Sequence, residues 1–175
     1  MRRVVDCVAC RQRHDLRLAG ALQEIEPDES LADARPHGQA VSAHSEGLLP
    51  LTQTAMLIRT DLAFHDYEGV AVDLDERERL VEHLGAKNLM LLRNHGTLAV
   101  GPSVGEAFVR LYFLERACQA QIMALNAGDN INNPPQGSPE DAAEQGTAGI
   151  AVAAKLLAWP ALKRKAMRLD PSFAT

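Results

Sequence analysis

A chain of 175 residues, 46% hydrophobic and 23% charged, is long enough for one sizeable core and too apolar for disorder throughout, so a single globular domain is expected. Its net charge of −5 provides no general attraction to nucleic acid or anionic lipid, which argues against both as main partners. No apolar run approaches the roughly 18 residues of a membrane helix, and Met1-Arg2-Arg3 leads into Val4-Val5 rather than a signal-type core, so the expected location is the cytoplasm.

Residues 1–36 differ from the rest of the chain. They run basic through Arg17 and acidic from Glu24 to Asp33, with no sustained period of 3.6 or 2 residues beyond a short helical pattern at Leu16–Ile25. Glu26-Pro27-Asp28-Glu29-Ser30 reads as a loop, because proline removes a donor and its acidic neighbours favour water. Low order is therefore expected before His37, with a domain over residues 37–175. Cys7 and Cys10 with His14 have the spacing of half a zinc site, but no second pair is present, so two incidental thiols are the simpler reading.

From His37 onward the pattern becomes regular. Val41 is expected to begin a strand that Gly47 breaks, and Pro50 to sit in the first turn of a helix ending near Ile58. Leu62-Ala63-Phe64-His65 reads as a strand, Asp66-Tyr67-Glu68-Gly69 as a turn, and Val70-Ala71-Val72 as extended. Asp75 is placed to cap a helix over Glu76–Leu84 with Leu80, Val81 and Leu84 inward and Gly85 as its stop. The all-apolar run Leu89–Leu92 has the character of a strand buried on both faces, and Leu98-Ala99-Val100 resumes it after the polar turn Arg93-Asn94-His95.

Ser103 and Glu106 have capping-box spacing, so the longest helix is expected from there to about Leu125, burying Ala107, Leu111, Leu114, Cys118 and Ile122. Glu115 and Arg116 have the spacing of a local ion pair. The stretch Ala127–Gly137, rich in Asn, Gly and Pro, reads as a loop. Ser138-Pro139-Glu140 opens a further helix whose Ile150, Ala153, Ala154 and Leu157 form an apolar face ending at Trp159-Pro160. The basic cluster Lys163-Arg164-Lys165 with Arg168 reads as a solvated helix end.

Chemistry concentrates at strand ends. An imidazole in a tight turn, His95 before Gly96, suits a ligand or metal site, although a single histidine in a turn is commonly just solvated. His65, Asp66 and Glu68 beside Gly69 read by themselves as a solvated turn. The ordered set Gly38-Gln39-Ala40-Val41-Ser42, Glu46-Gly47-Leu48-Leu49-Pro50, Phe64-His65-Asp66-Tyr67-Glu68-Gly69, Leu92-Arg93-Asn94-His95-Gly96, Leu111-Tyr112-Phe113-Leu114-Glu115-Arg116 and Ala158-Trp159-Pro160 resembles the class II aldolase and adducin family, in particular its adducin-type bacterial members.

That resemblance implies an α/β domain, an α/β/α arrangement around a central and mainly antiparallel sheet. It also implies that His65, Tyr67 and Glu68 border the substrate cleft or a subunit contact, with Asn94 a further cleft residue. In the family's enzymes three histidines hold zinc, which polarises a substrate oxygen and stabilises an enediolate; His95 matches the third of them. The other two would fall on Ala32 and Ala34, and the phosphate-binding loop and proton-moving carboxylate that precede them have no counterpart in residues 1–36. The chain thus resembles a member whose first half is incomplete, leaving an open sheet edge that favours self-association.

Three functions are compatible with this reading. The first is a family domain without independent catalysis, for which no cofactor is expected unless zinc ligands come from elsewhere. The second is an active metal-dependent aldolase or epimerase on a sugar-phosphate or hydroxy-carbonyl substrate, and the third an adducin-like protein-interaction module. A homo-oligomer or a family partner chain is the expected assembly, with no nucleic acid or membrane partner.

Overall fold

The computed structural model describes residues 29–33, 36–69 and 76–169. A four-stranded sheet is built from β1 (Glu29–Asp33), β2 (Leu62–His65), β3 (Leu89–Leu92) and β4 (Gly96–Gly101), in the order β1-β4-β3-β2. The β1–β4 and β3–β4 pairings are antiparallel and β2–β3 is parallel, so the sheet is mainly antiparallel, as the family resemblance implies. Every residue of β3 and β4 is buried. The side chains of these strands alternate between two cores, which makes the domain three layers deep.

On one face Leu89, Leu91 and Ala99 pack with Val41 of α1 (Pro36–Ser42), Ala55 and Ile58 of α2 (Gln53–Arg59), Leu114 and Cys118 of α4 (Val104–Asn126) and Ile150 of α5 (Ser138–Ala153). On the other, Met90, Leu92, Leu98 and Val100 pack with Leu80 and Leu84 of α3 (Glu76–Leu84). The Ser103 hydroxyl accepts from Glu106 N–H and starts α4 at the expected place. Arg110 on α4 donates to Asp61 at 2.6 Å, and Asp61 also accepts from the Asn88 backbone and side chain, tying the starts of β2 and β3 to the long helix.

Several expectations are corrected. Val41 lies in a helix, α1, rather than opening a strand. Helix α2 begins at Gln53 with Thr52 as its cap, three residues beyond Pro50. The loop expected at Glu29-Ser30 belongs to strand β1, so the low order expected before His37 does not extend over Glu29–Asp33; the Cys7, Cys10 and His14 motif and Val70-Ala71-Val72 lie outside the described residues. Val81, expected inward, is 41% exposed. Leu157 is exposed too, and the chain does not stop at Trp159-Pro160: a π-turn at Ala154–Ala158 leads into α6 (Trp159–Leu169). There Trp159 N–H reaches back five residues to the Ala154 carbonyl, an offset just before the proline that has no donor of its own.

Glu115 does not pair with Arg116, whose guanidinium instead donates to Gln119. The Glu115 carboxylate is buried and accepts from Gly38 N–H at 2.9 Å, with His37 Nδ1 at 2.9 Å on its other oxygen. A carboxylate at the start of α1 satisfies a helix N–H that would otherwise be orphaned. Gly38 is required there, since an added Cβ would sit 2.9 Å from Thr97 Cγ2 and 3.0 Å from Glu115.

Candidate functional site

Strands β2 and β3 run in parallel with His65 opposite Leu92, so their C-terminal ends open at the same edge of the sheet. Arg93 N–H donates to the His65 carbonyl at 2.8 Å, joining the β3–β4 turn to the end of β2. Asn94, at the apex of that turn, adopts a left-handed φ of 57° and its N–H donates to the Ser42 carbonyl at 3.2 Å. Helix α1, clamped by Glu115, therefore holds the turn that carries His95.

A small cavity at this edge is lined by His65, Asp66, Tyr67, Glu68, Gly69, Glu76, Leu92, Arg93 and His95. Of the residues expected at a substrate cleft or metal site, His65, Tyr67, Glu68 and His95 converge on it, whereas Asn94 is exposed and does not line it. Tyr67 is 55% exposed at the mouth. Arg93 is committed elsewhere: its guanidinium donates to the His44 carbonyl at 2.8 Å and lies 4.6 Å from the centre of the Phe64 ring. Two residues are not marked by any sequence motif, Glu76 in the lining and His83, which touches His65 from behind it. They lie seven residues apart on α3, two turns along one face, and that spacing is the available signal.

His65 is the most constrained side chain of the group. Its Nδ1 lies 2.9 Å from Nδ1 of His83, and its Nε2 lies 3.6 Å from Glu76 and 3.9 Å from Glu68. Glu68 in turn accepts from Arg79 Nε at 2.9 Å. Burial lowers the His65 pKa below its ordinary 6.5, because a charged ring would lose its water; Glu68 opposes the shift, His83 adds to it, and Glu76 opposes it.

The described residues do not by themselves supply the zinc ligands that the resemblance implies. Ala32 pairs with Leu98 and Asp33 with Thr97, so β1 runs alongside the turn that carries His95, but an alanine offers no donor electron pair. Among the described residues no three His, Cys, Asp or Glu stand where they could hold a metal.

Residues 35–122 match the profile of the Class II Aldolase and Adducin N-terminal domain. The chain belongs to the class II aldolase and adducin family. An aldolase class 2 protein of Caulobacter vibrioides, a provisional designation, is 49% identical over 138 residues, covering 78% of this chain and 53% of that protein. Alpha-adducin of Mus musculus is 41% identical over 99 residues, covering 56% of this chain and 13% of adducin. The crystal structure of an aldolase II superfamily protein from Pseudomonas syringae superposes with a TM-score of 0.76 at 39% identity, covering 88% of this chain and 62% of that one. L-fuculose 1-phosphate aldolase from Glaciozyma antarctica shares the fold, with a TM-score of 0.62 at 21% identity over 79% of this chain and 54% of that one. This class II aldolase/adducin-family chain spans about half the length of the curated bacterial relatives it matches. No helix among the described residues is long and apolar enough to cross a membrane.

Proposed function

We propose that this chain is a class II aldolase/adducin-family domain that does not catalyse the family's retro-aldol or epimerase reaction by itself and keeps a pocket for a small hydroxy-carbonyl or sugar-phosphate ligand. It works in the cytoplasm as a homo-oligomer or beside a family partner chain, without nucleic acid or membrane. The observation that carries this reading is the donor count beside the β3–β4 turn. His95 stands where the family's third zinc histidine belongs, but the positions matching the other two are Ala32 and Ala34. Stable zinc sites use three or four protein ligands, so His95 is a remnant of a degenerate site. In this proposal residues 1–36 are the N-terminal segment, which contributes β1 and the first residue of α1 to the partial domain over 37–175.

Metal analysis of the purified protein tests it. Zinc is expected far below one ion per chain and His95→Ala is expected to leave metal content and stability unchanged. One zinc per chain that disappears in His95→Ala, together with cleavage of a sugar phosphate, would overturn the reading in favour of a metal-dependent lyase or epimerase. The 99-residue match to alpha-adducin favours, as a second reading, use of the domain for protein interaction; stable co-purification of a partner protein, lost when the exposed Tyr67 is changed to Asp, is its expected signature.

A further inference from the structure

We propose that the cavity at the end of β2 is a binding site for a neutral hydroxyl group, recognised by His65, with His83 as the positioning residue that donates to the ring's other nitrogen and holds its orientation. The inference rests on the ligand-binding part of the proposed function and specifies it. Two imidazole nitrogens 2.9 Å apart share one hydrogen, so of His65 Nδ1 and His83 Nδ1 one donates and the other accepts. The far side of His65 decides between them. Its Nε2 is buried without a hydrogen-bond partner in a residue only 3% exposed, and the nearest charges are Glu76 at 3.6 Å and Glu68 at 3.9 Å. Two carboxylates favour a hydrogen on Nε2. His65 Nδ1 is then bare and accepts from His83 Nδ1–H, which the exposed end of α3 supplies.

This leaves a buried N–H and a carboxylate oxygen 3.6 Å apart, just beyond hydrogen-bond distance. Only a group that accepts and donates at once satisfies both. Water does so, and a ligand hydroxyl that displaces it does the same, its oxygen accepting from His65 Nε2–H and its hydrogen going to Glu76. A ketone accepts but cannot donate. The lining carries three carboxylates, Asp66, Glu68 and Glu76, against one guanidinium, Arg93, which is turned to the His44 carbonyl and the Phe64 ring, and with Arg79 paired to Glu68 the balance left still disfavours a phosphate or carboxylate. The class of ligand is therefore a neutral polyol or the hydroxyl end of a hydroxy-carbonyl compound, with any anionic end lying outside this cavity.

Nitrogen-15 NMR of the histidine rings in the full chain tests the proposal, first free and then with glycerol, acetone or inorganic phosphate at matched ionic strength. The expected free state has hydrogen on Nε2 of His65 and Nδ1 of His83. Glycerol should shift the His65 ring saturably, and acetone and phosphate should not. His83→Ala should weaken the glycerol response about five- to tenfold, the loss of one neutral hydrogen bond, and His83→Gln, whose amide can donate to Nδ1, should restore it. Hydrogen on Nδ1 of His65 in the free protein, a phosphate response at His65, or a glycerol response indifferent to His83→Ala would each overturn the assignment. Glycerol shifting the His95 ring but not His65 would sink this inference and leave the ligand-binding reading standing. No response anywhere in the cavity would sink both.

Discussion

The strand pair β3–β4 and the C-terminal stretch from Leu156 to Leu169 are both rich in leucine, yet they end in opposite environments. Leu89, Met90, Leu91 and Leu98 have no measurable exposure, whereas Leu156, Leu157 and Leu169 are 65%, 68% and 76% exposed, and no residue of α6 is buried. The difference is one of neighbours. Strand β3 has a strand on each side and helices on both faces, while α6 is anchored mainly by its first residue, Trp159, which stacks on Phe108 at 5.7 Å and covers Gly105. Apolar character alone does not bury a segment; it must meet complementary surface from elsewhere in the fold.

Truncating one leucine in each region sharpens the comparison most. Leu98→Ala empties space enclosed by α3 and the sheet and is expected to cost about 2–5 kcal/mol, while Leu169→Ala, which removes little from contact, should stay within about 0.5 kcal/mol. Urea denaturation of the two variants checks this, and equal losses would show that the tail is packed against something in solution, as a subunit contact would require.

The seam between the regions comes next. A Cβ on Gly105 would approach Trp159 Cγ to 2.6 Å, closer than real Cβ contacts come, so Gly105→Ala must displace the indole. The expected cost is about 1–3 kcal/mol. Trp159 is the chain's single tryptophan, so its fluorescence should shift to the red in the folded state as the ring moves into water. An unchanged spectrum would mean that α4, rather than the tail, gives way.

Much of the body is legible in the sequence because its signals are local. Strand β2 at Leu62–His65, strand β3 at Leu89–Leu92, helix α3 at Glu76–Leu84 and the Ser103 cap all arise from runs, periods or caps within a few residues. The failures share a different origin. Val41 looks extended because it is β-branched and precedes a turn, but α1 is held in place by Glu115, 77 residues away from Gly38. Strand β1 is acidic and aperiodic, and pairing with β4 supplies what its own sequence does not. Helix α6 continues past Pro160 because a π-turn takes up the misfit, which a proline rule does not anticipate. At the site, motifs mark His65, Tyr67, Glu68 and His95, but nothing local marks the His65–His83 contact, since it joins a strand end to a helix end 18 residues on.

Acid tests whether the body or the tail yields first. In the unfolded chain His65 has its ordinary pKa of 6.5; in the fold desolvation lowers it, with the neighbouring His83 adding to the shift against Glu68 and Glu76. Between the two values the unfolded state binds the extra proton, so stability falls as pH drops through about 6.5 toward the folded pKa and levels off below it, while above 6.5 the contribution is complete. The ring that must be charged sits between β2 and α3, so the loosening belongs to the body. Denaturation midpoints between pH 7.5 and 5.5 should decline in the native chain, with a shallower slope in His65→Asn, because an amide has no proton to bind in that window. Amide exchange at pH 5.5 should show Leu80 and Leu84 losing protection while the fluorescence of Trp159 stays constant. A tail that opened first, with α3 still protected, would reverse the order of stability that the burial of the two regions implies.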